Sequence, residues 1–121
     1  MKIEKVNLNE KLKQFSDYWN PRIVGELNGH QVKLAKFQGE FIWHTHENED
    51  ELFMVLKGSF KMEFRDKTVQ LNEGEFLIVP KGVEHRPVAK NEVSVLLFEP
   101  GSTINTGNNP SDLTRNNLEK I

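Results

Sequence analysis

Polar and apolar positions alternate in short runs through most of this chain, and a helical period is confined to its two ends. Near the N-terminus, Leu12 and Phe15 fall three residues apart on one side, and Asn9 is placed to cap a short helix running through Phe15. From Arg22 the period shortens to two. Arg22 to Leu27 and Gln31 to Phe37 flank Asn28-Gly29, a dipeptide suited to the positive φ angles of a two-residue hairpin. Further strands are predicted at Gly39 to Thr45, Leu52 to Lys57, Ser59 to Phe64, Thr68 to Leu71, Glu75 to Val79, His85 to Ala89 and Val93 to Phe98. Turn formers separate them: Asn48 among acidic neighbours, Arg65 to Lys67, Asn72 to Gly74, Pro80 to Gly82, Lys90 to Glu92 and Pro100-Gly101. Past Ile104 the chain is rich in Asn, Ser and Thr. A last helical turn through Leu118, capped by Ser111 or Asp112, fits that tail, and so does an ordered or frayed arm.

Turns at intervals of roughly 8–12 residues, between strands with β-branched and aromatic content, predict an all-β sandwich or barrel. Seven of the eight phenylalanines lie between positions 37 and 98, where such a core needs bulk. No connection is long enough for the crossover helices of a doubly wound α/β fold. A length of 121 residues suits one domain.

Composition narrows the function by exclusion. The 16 basic and 18 acidic residues leave a formal charge of −2 without a basic cluster, which argues against a nucleic-acid partner. Cysteine is absent, so there is no disulfide framework, thiolate nucleophile or Cys-bound metal. The first ten residues are charged and polar from Lys2 onward, unlike a signal peptide. The longest apolar run, Leu52 to Leu56, is too short to span a bilayer. The expected setting is cytoplasmic, with no membrane partner.

Three of the four histidines sit in two tight contexts. In Trp43-His44-Thr45-His46, a strand would place both imidazoles on one face about 7 Å apart, close enough to converge on one cation. After the acidic turn Glu47 to Asp50, Glu51 opens the next strand and can add a carboxylate oxygen. In Pro80-Lys81-Gly82-Val83-Glu84-His85, a rigid turn delivers His85 onto a new strand. Each feature alone has an ordinary explanation as surface decoration, solvated loop or plain turn. His30 follows the Asn28-Gly29 turn without companions and reads as an exposed turn residue. Lys81 and Arg86 flank the second context and are either anion contacts or solvated charges.

The joint spacing resembles the cupin superfamily, small β-barrels marked by two sequence motifs. The first family motif runs Gly, five residues, His-x-His, three or four residues, Glu, six residues, Gly. Here Gly39 is followed by four residues, then His44-Thr45-His46, then Glu51 after four more and Gly58 after six. The second runs Gly, five residues, Pro-x-Gly, two residues, His, three residues, Asn. Gly74, Pro80, Gly82 and His85 fit it, while Ala89 stands in place of the Asn. The resemblance implies a small single-domain bacterial-type cupin over residues 1–121, a jelly-roll β-barrel at about 22–101 with its motif core at 39–89. A short N-terminal helical segment lies in the arm 1–21, and a polar C-terminal arm covers 102–121.

The resemblance further implies one divalent metal ion held by His44, His46, Glu51 and His85, with iron, manganese, nickel and zinc all compatible with imidazole and carboxylate donors. Such a donor set leaves coordination positions for water or substrate, as in a Lewis acid or a mononuclear oxygenase. Strand parity adds Phe53 and Val55 to the pocket with Glu51, and Ile42 with the two early histidines. An apolar lining of this kind suits a small, partly apolar organic ligand. Two functions follow: a metal-dependent dioxygenase, isomerase or lyase acting on a small metabolite, or a non-catalytic small-molecule-binding or sensor cupin. No catalytic residue can be named; with three histidines engaged, a general base would be a carboxylate or a metal-bound hydroxide. The family resemblance also favours a homodimer.

Overall fold

The computed structural model describes residues 2–121. A single short helix, α1 (Leu8–Leu12), precedes seven strands: β1 (Arg22–Leu27), β2 (His30–Glu40), β3 (Glu51–Lys57), β4 (Ser59–Phe64), β5 (Thr68–Asn72), β6 (Phe76–Val79) and β7 (His85–Pro100). The helix starts earlier than its apolar spacing predicts. Asn7, not Asn9, is the cap, because its side chain accepts a hydrogen bond from Glu10 N at 3.0 Å. Phe15 lies beyond the helix end and is buried under the cations of Arg22 and Lys36.

All strand pairs are antiparallel, in the order β1-β2-β7-β3-β6, with β4 pairing β5 and β7. The 16-residue β7 does two jobs. Its first part, His85–Val88, pairs with β4, and its second, from Ser94, pairs with β3, while β2 runs beside both. Both branches close on one apolar cluster that includes Phe53 and Val55 of β3, Phe60 and Met62 of β4, and Val93, Val95 and Leu97 of β7. The result is a small jelly-roll barrel.

Two expected strands merge into longer ones. Lys90 to Glu92 is an exposed bend inside β7 and not a break. Gly39–Thr45 is not a strand of its own: Gly39 and Glu40 end β2, and the chain then leaves the sheet. The ladder stops at Phe41, whose N–H donates to Pro87 O at 3.0 Å. The return bond would need an N–H that proline lacks. The register of β2 against β7 also shifts between Phe37 and Gly39, where Gly39 has a φ of 86°.

The C-terminal tail is an ordered arm. Ile23 N donates to Glu119 O at 2.9 Å and Ile121 N donates to Ile23 O at 3.0 Å, so the arm returns along β1. Among the described residues no helix forms beyond Leu12, and none is long and apolar enough to cross a membrane.

Candidate metal centre

The two histidine contexts are locked edge to edge by backbone bonds. His44 N donates to His85 O and His85 N donates to His44 O, both at 3.0 Å. Gly82 N donates to His46 O at 2.8 Å, and Lys81 N donates to Asp50 Oδ1 at 2.8 Å. The Pro80-Lys81-Gly82 turn is thereby pinned against the acidic loop, with Gly82 in the left-handed region at a φ of 82°. Glu51 enters from β3, where Glu51, Phe53 and Val55 are buried in alternation with half-buried neighbours.

His44, His46, Glu51 and His85 converge with one donor atom each, all within 4.8 Å of one another. The four residues are at most 3% exposed. His46 Nε2 lies 2.9 Å and His85 Nε2 3.3 Å from Glu51 Oε1. Despite these short distances the contacts lack hydrogen-bond alignment, and His46 Nδ1, His46 Nε2, Glu51 Oε1 and His85 Nε2 have no partner. A buried polar atom without a partner costs roughly 1–3 kcal/mol, so several at one point make an unfavourable cluster that a cation would relieve. The donor set suits a divalent ion.

Local hydrogen bonds set the rings for that task. His44 Nδ1 is 2.9 Å from Ile42 O, and His85 Nδ1 is 2.9 Å from Val83 O. A carbonyl only accepts, so Nδ1 carries the proton in each ring and Nε2 presents its lone pair to the cluster. Burial, and next the proximity of His85, lowers the His44 pKa from 6.5 to about 4. Burial alone would raise the Glu51 carboxyl, but its contacts with Glu99, His46 and His85 draw it well below the usual range. Neutral imidazole and ionised carboxylate are the protonation states that metal ligation requires.

A narrow cleft of about 30 Å³, partly open to solvent, reaches His44 and Glu51. Of the three residues expected to line it, only Phe53 does. Val55 lies farther along β3 and is sealed in the core. Ile42 is half-buried against the core edge, because its segment has left the strand and parity with His44 no longer places it. His30 is not an exposed turn residue: it opens β2, is half-buried and stacks on Phe98 at 5.4 Å, outside the cluster. Arg86 is engaged by Glu63 at 2.7 Å and Glu40 at 3.2 Å.

Sequence reading missed Lys33 and Glu99, which pair at 2.8 Å inside the cleft. The Glu99 carboxyl is raised well above its ordinary value by burial and then by the charge of Glu51. Their signal was parity: Lys33 shares the inward face of β2 with Ala35 and Phe37, and Glu99 that of β7 with Val95 and Leu97. Both arms also reach the cleft, through Trp19 and Pro21 before the barrel and Asn105 and Leu118 after it.

Comparison with known proteins agrees with this architecture. The cupin domain family matches residues 30–99. An uncharacterized protein of Bacillus subtilis, YdbB, is 47% identical over 64 residues, covering 52% of this chain and 57% of its own. Acireductone dioxygenase of Yarrowia lipolytica is 37% identical over 71 residues, covering 54% of this chain and 39% of its own. The chain thus spans about half the length of the curated relatives it matches. The crystal structure of a cupin-2 domain containing protein from Shewanella frigidimarina superposes with a TM-score of 0.78 at 44% identity, covering 78% of this chain and 93% of that one. The family match takes in both histidine contexts and more than half of the sequence, and a solved relative shares the fold over nearly its whole length: the chain belongs to the cupin family.

Proposed function

We propose that this chain binds one divalent metal ion through His44, His46, Glu51 and His85 and acts on a small organic metabolite held against it. The observation that carries the reading is the buried cluster of four donors within 4.8 Å, several of them without another partner. The bound ion would act as a Lewis acid or redox centre in a largely apolar cleft. The chain's own residues orient it, with the Ile42 and Val83 carbonyls fixing two imidazoles and Glu51 supplying the negative charge. Among dioxygenase, isomerase and lyase chemistry, the similarity to a fungal acireductone dioxygenase supports the first. A homodimer is the assembly we propose, since edge strand β6 exposes Phe76 and Ile78.

Metal analysis of the purified chain tests the centre. One ion per chain is expected, lost strongly in His46→Ala and His85→Ala and retained in His30→Ala. Equal occupancy in the His46 and His30 variants would overturn the ligand assignment. Removing the ion should lower the melting temperature without unfolding the chain, because the apolar core remains. Anaerobic reconstitution with iron(II), manganese(II), nickel(II) or zinc(II), followed by a metabolite library with dioxygen uptake and product masses, then tests turnover. Ligand binding without turnover under every metal would favour the sensor function.

A further inference from the structure

Behind the donor cluster, three neighbouring strands contribute one row of ionisable side chains. β3 pairs β7 with Leu52 opposite Phe98 and Phe53 opposite Leu97. Continuing that register by one residue brings Glu51 opposite Glu99 on the inward face. On the other side of β7, Lys33 of β2 stands opposite Leu97, one diagonal step from Glu99. Its Nζ donates to Glu99 Oε1 at 2.8 Å. All three side chains are at most 3% exposed. Glu99 thus touches Lys33 on one side and the Glu51 carboxylate on the other. Two carboxyl groups directly opposite each other are a poor pair for an ordinary strand face. Replacing a buried lysine–glutamate pair by apolar residues of similar volume is often neutral or stabilising, so packing does not account for it either. Glu51, for its part, also faces the cluster, with Oε1 2.9 Å from His46 Nε2 and 3.3 Å from His85 Nε2.

We propose that Glu99, anchored by Lys33, is a positioning residue that holds the Glu51 carboxylate on the donor cluster and thereby strengthens metal binding. Glu99 has this role only if the four donors are metal ligands, the reading proposed above. Two of the imidazoles are already fixed from behind, His44 by the Ile42 carbonyl and His85 by the Val83 carbonyl. A glutamate has several side-chain torsions to fix, and Glu99 supplies a contact from outside the cluster that can fix them. Lys33 in turn keeps Glu99 from swinging away. Losing an outer partner of a metal ligand typically costs about 10- to 100-fold in metal affinity.

Zinc(II) affinity, read by competition with a chromophoric chelator, tests this beside the visible spectrum of the cobalt(II)-loaded chain and urea unfolding of the metal-free chain. Glu99→Leu leaves Lys33 buried without its partner and can fail to fold, so Lys33→Met/Glu99→Leu is measured with it. The double variant is expected to match or exceed wild-type stability in urea. It should nevertheless bind zinc about 10- to 100-fold more weakly and give an altered cobalt spectrum. Glu99→Gln is the rescue, because its amide can accept from Lys33 and donate to Glu51. It should keep the wild-type cobalt spectrum and lose less than about tenfold in zinc affinity. A pair that served only the fold would change urea stability and leave both metal readouts as they are. A folded double variant with wild-type affinity and spectrum, while His46→Ala loses zinc, would overturn the positioning role and leave the metal centre standing. Glu99→Gln as impaired as the double variant would also overturn it. A wild-type chain that takes up neither ion would overturn both.

Discussion

The barrel and the arm beyond Gly101 are held by different means. In the barrel, backbone ladders join seven strands over one apolar cluster. In the arm, apart from a short backbone bridge to Ile23, side-chain amides take the place of ladders. Asn105 Nδ2 donates to Leu113 O while its Oδ1 accepts from Arg115 N. Asn108 Oδ1 accepts from Thr45 N, and Asn109 Nδ2 donates to Trp43 O. An asparagine side chain offers a donor and an acceptor in one plane, as a peptide does, so an Asn-rich segment can be fixed without being a strand. Of the arm, Leu113 packs against the core and Asn105 and Leu118 reach the cleft. Stability therefore resides chiefly in the barrel, and the arm shapes the outer wall of the site.

The largest effect should come from the barrel. Phe37 stacks on Trp19 and meets Phe60 edge-on at 5.5 Å, so Phe37→Ala should cost about 3–5 kcal/mol in urea unfolding. A loss below about 1 kcal/mol would place the core elsewhere. Acid should act on the barrel next. In the metal-free chain His44 takes up its proton near pH 4 when folded and near 6.5 when unfolded. Between those values the unfolded chain binds more protons, so this contribution is fully present above pH 6.5 and is lost as pH falls toward 4. It amounts to about 3 kcal/mol. Unfolding curves across that range, compared with His44→Gln, should show the extra slope only in the wild type.

Effects in the arm should be smaller on stability and visible at the cleft. Asn105→Ala removes two hydrogen bonds and should cost about 1–2 kcal/mol. In a Trp43→Phe background it should also raise acrylamide quenching of Trp19, which shares the cleft wall with Asn105. Unchanged quenching would mean that the arm does not guard the cleft. The exposed Lys120–Glu26 pair, at 2.9 Å, should matter least: Lys120→Ala is expected to change stability by less than about 0.5 kcal/mol.

Features set by neighbours in sequence were the legible ones. Asn28 and Gly29 adopt φ values of 52° and 78°, the hairpin geometry their dipeptide predicts. The spacing of His44, His46, Glu51 and His85 was enough to nominate the cluster that the fold assembles. Features decided by distant partners were not legible. Gly39–Thr45 looked like a strand because the proline that ends its ladder lies more than 40 residues later. Lys33 and Glu99 each broke an apolar face, yet only the pairing of β2 with β7 brings them together. The helix cap is a local exception: apolar spacing favours Asn9 and does not register the bond from Glu10 N to the Asn7 side chain three residues before it.

The position of β7 in the sheet has a consequence for the order of events during synthesis. Without it, the strand pairs are β1 with β2, β3 with β6 and β4 with β5, and no strand pairing joins them. Two-stranded pieces of this kind are marginal in water, so a nascent chain ending before His85 has no stable fold. His85, the fourth donor of the cluster, is also the first residue of β7. The strand that closes the barrel therefore completes the donor cluster. Were the proposed ion to arrive during synthesis, it would meet at most three of the four donors on a chain still unable to bury them. On the proposed reading, tight binding would thus be a property of the finished fold, and metal selection would wait until the barrel's geometry can enforce it.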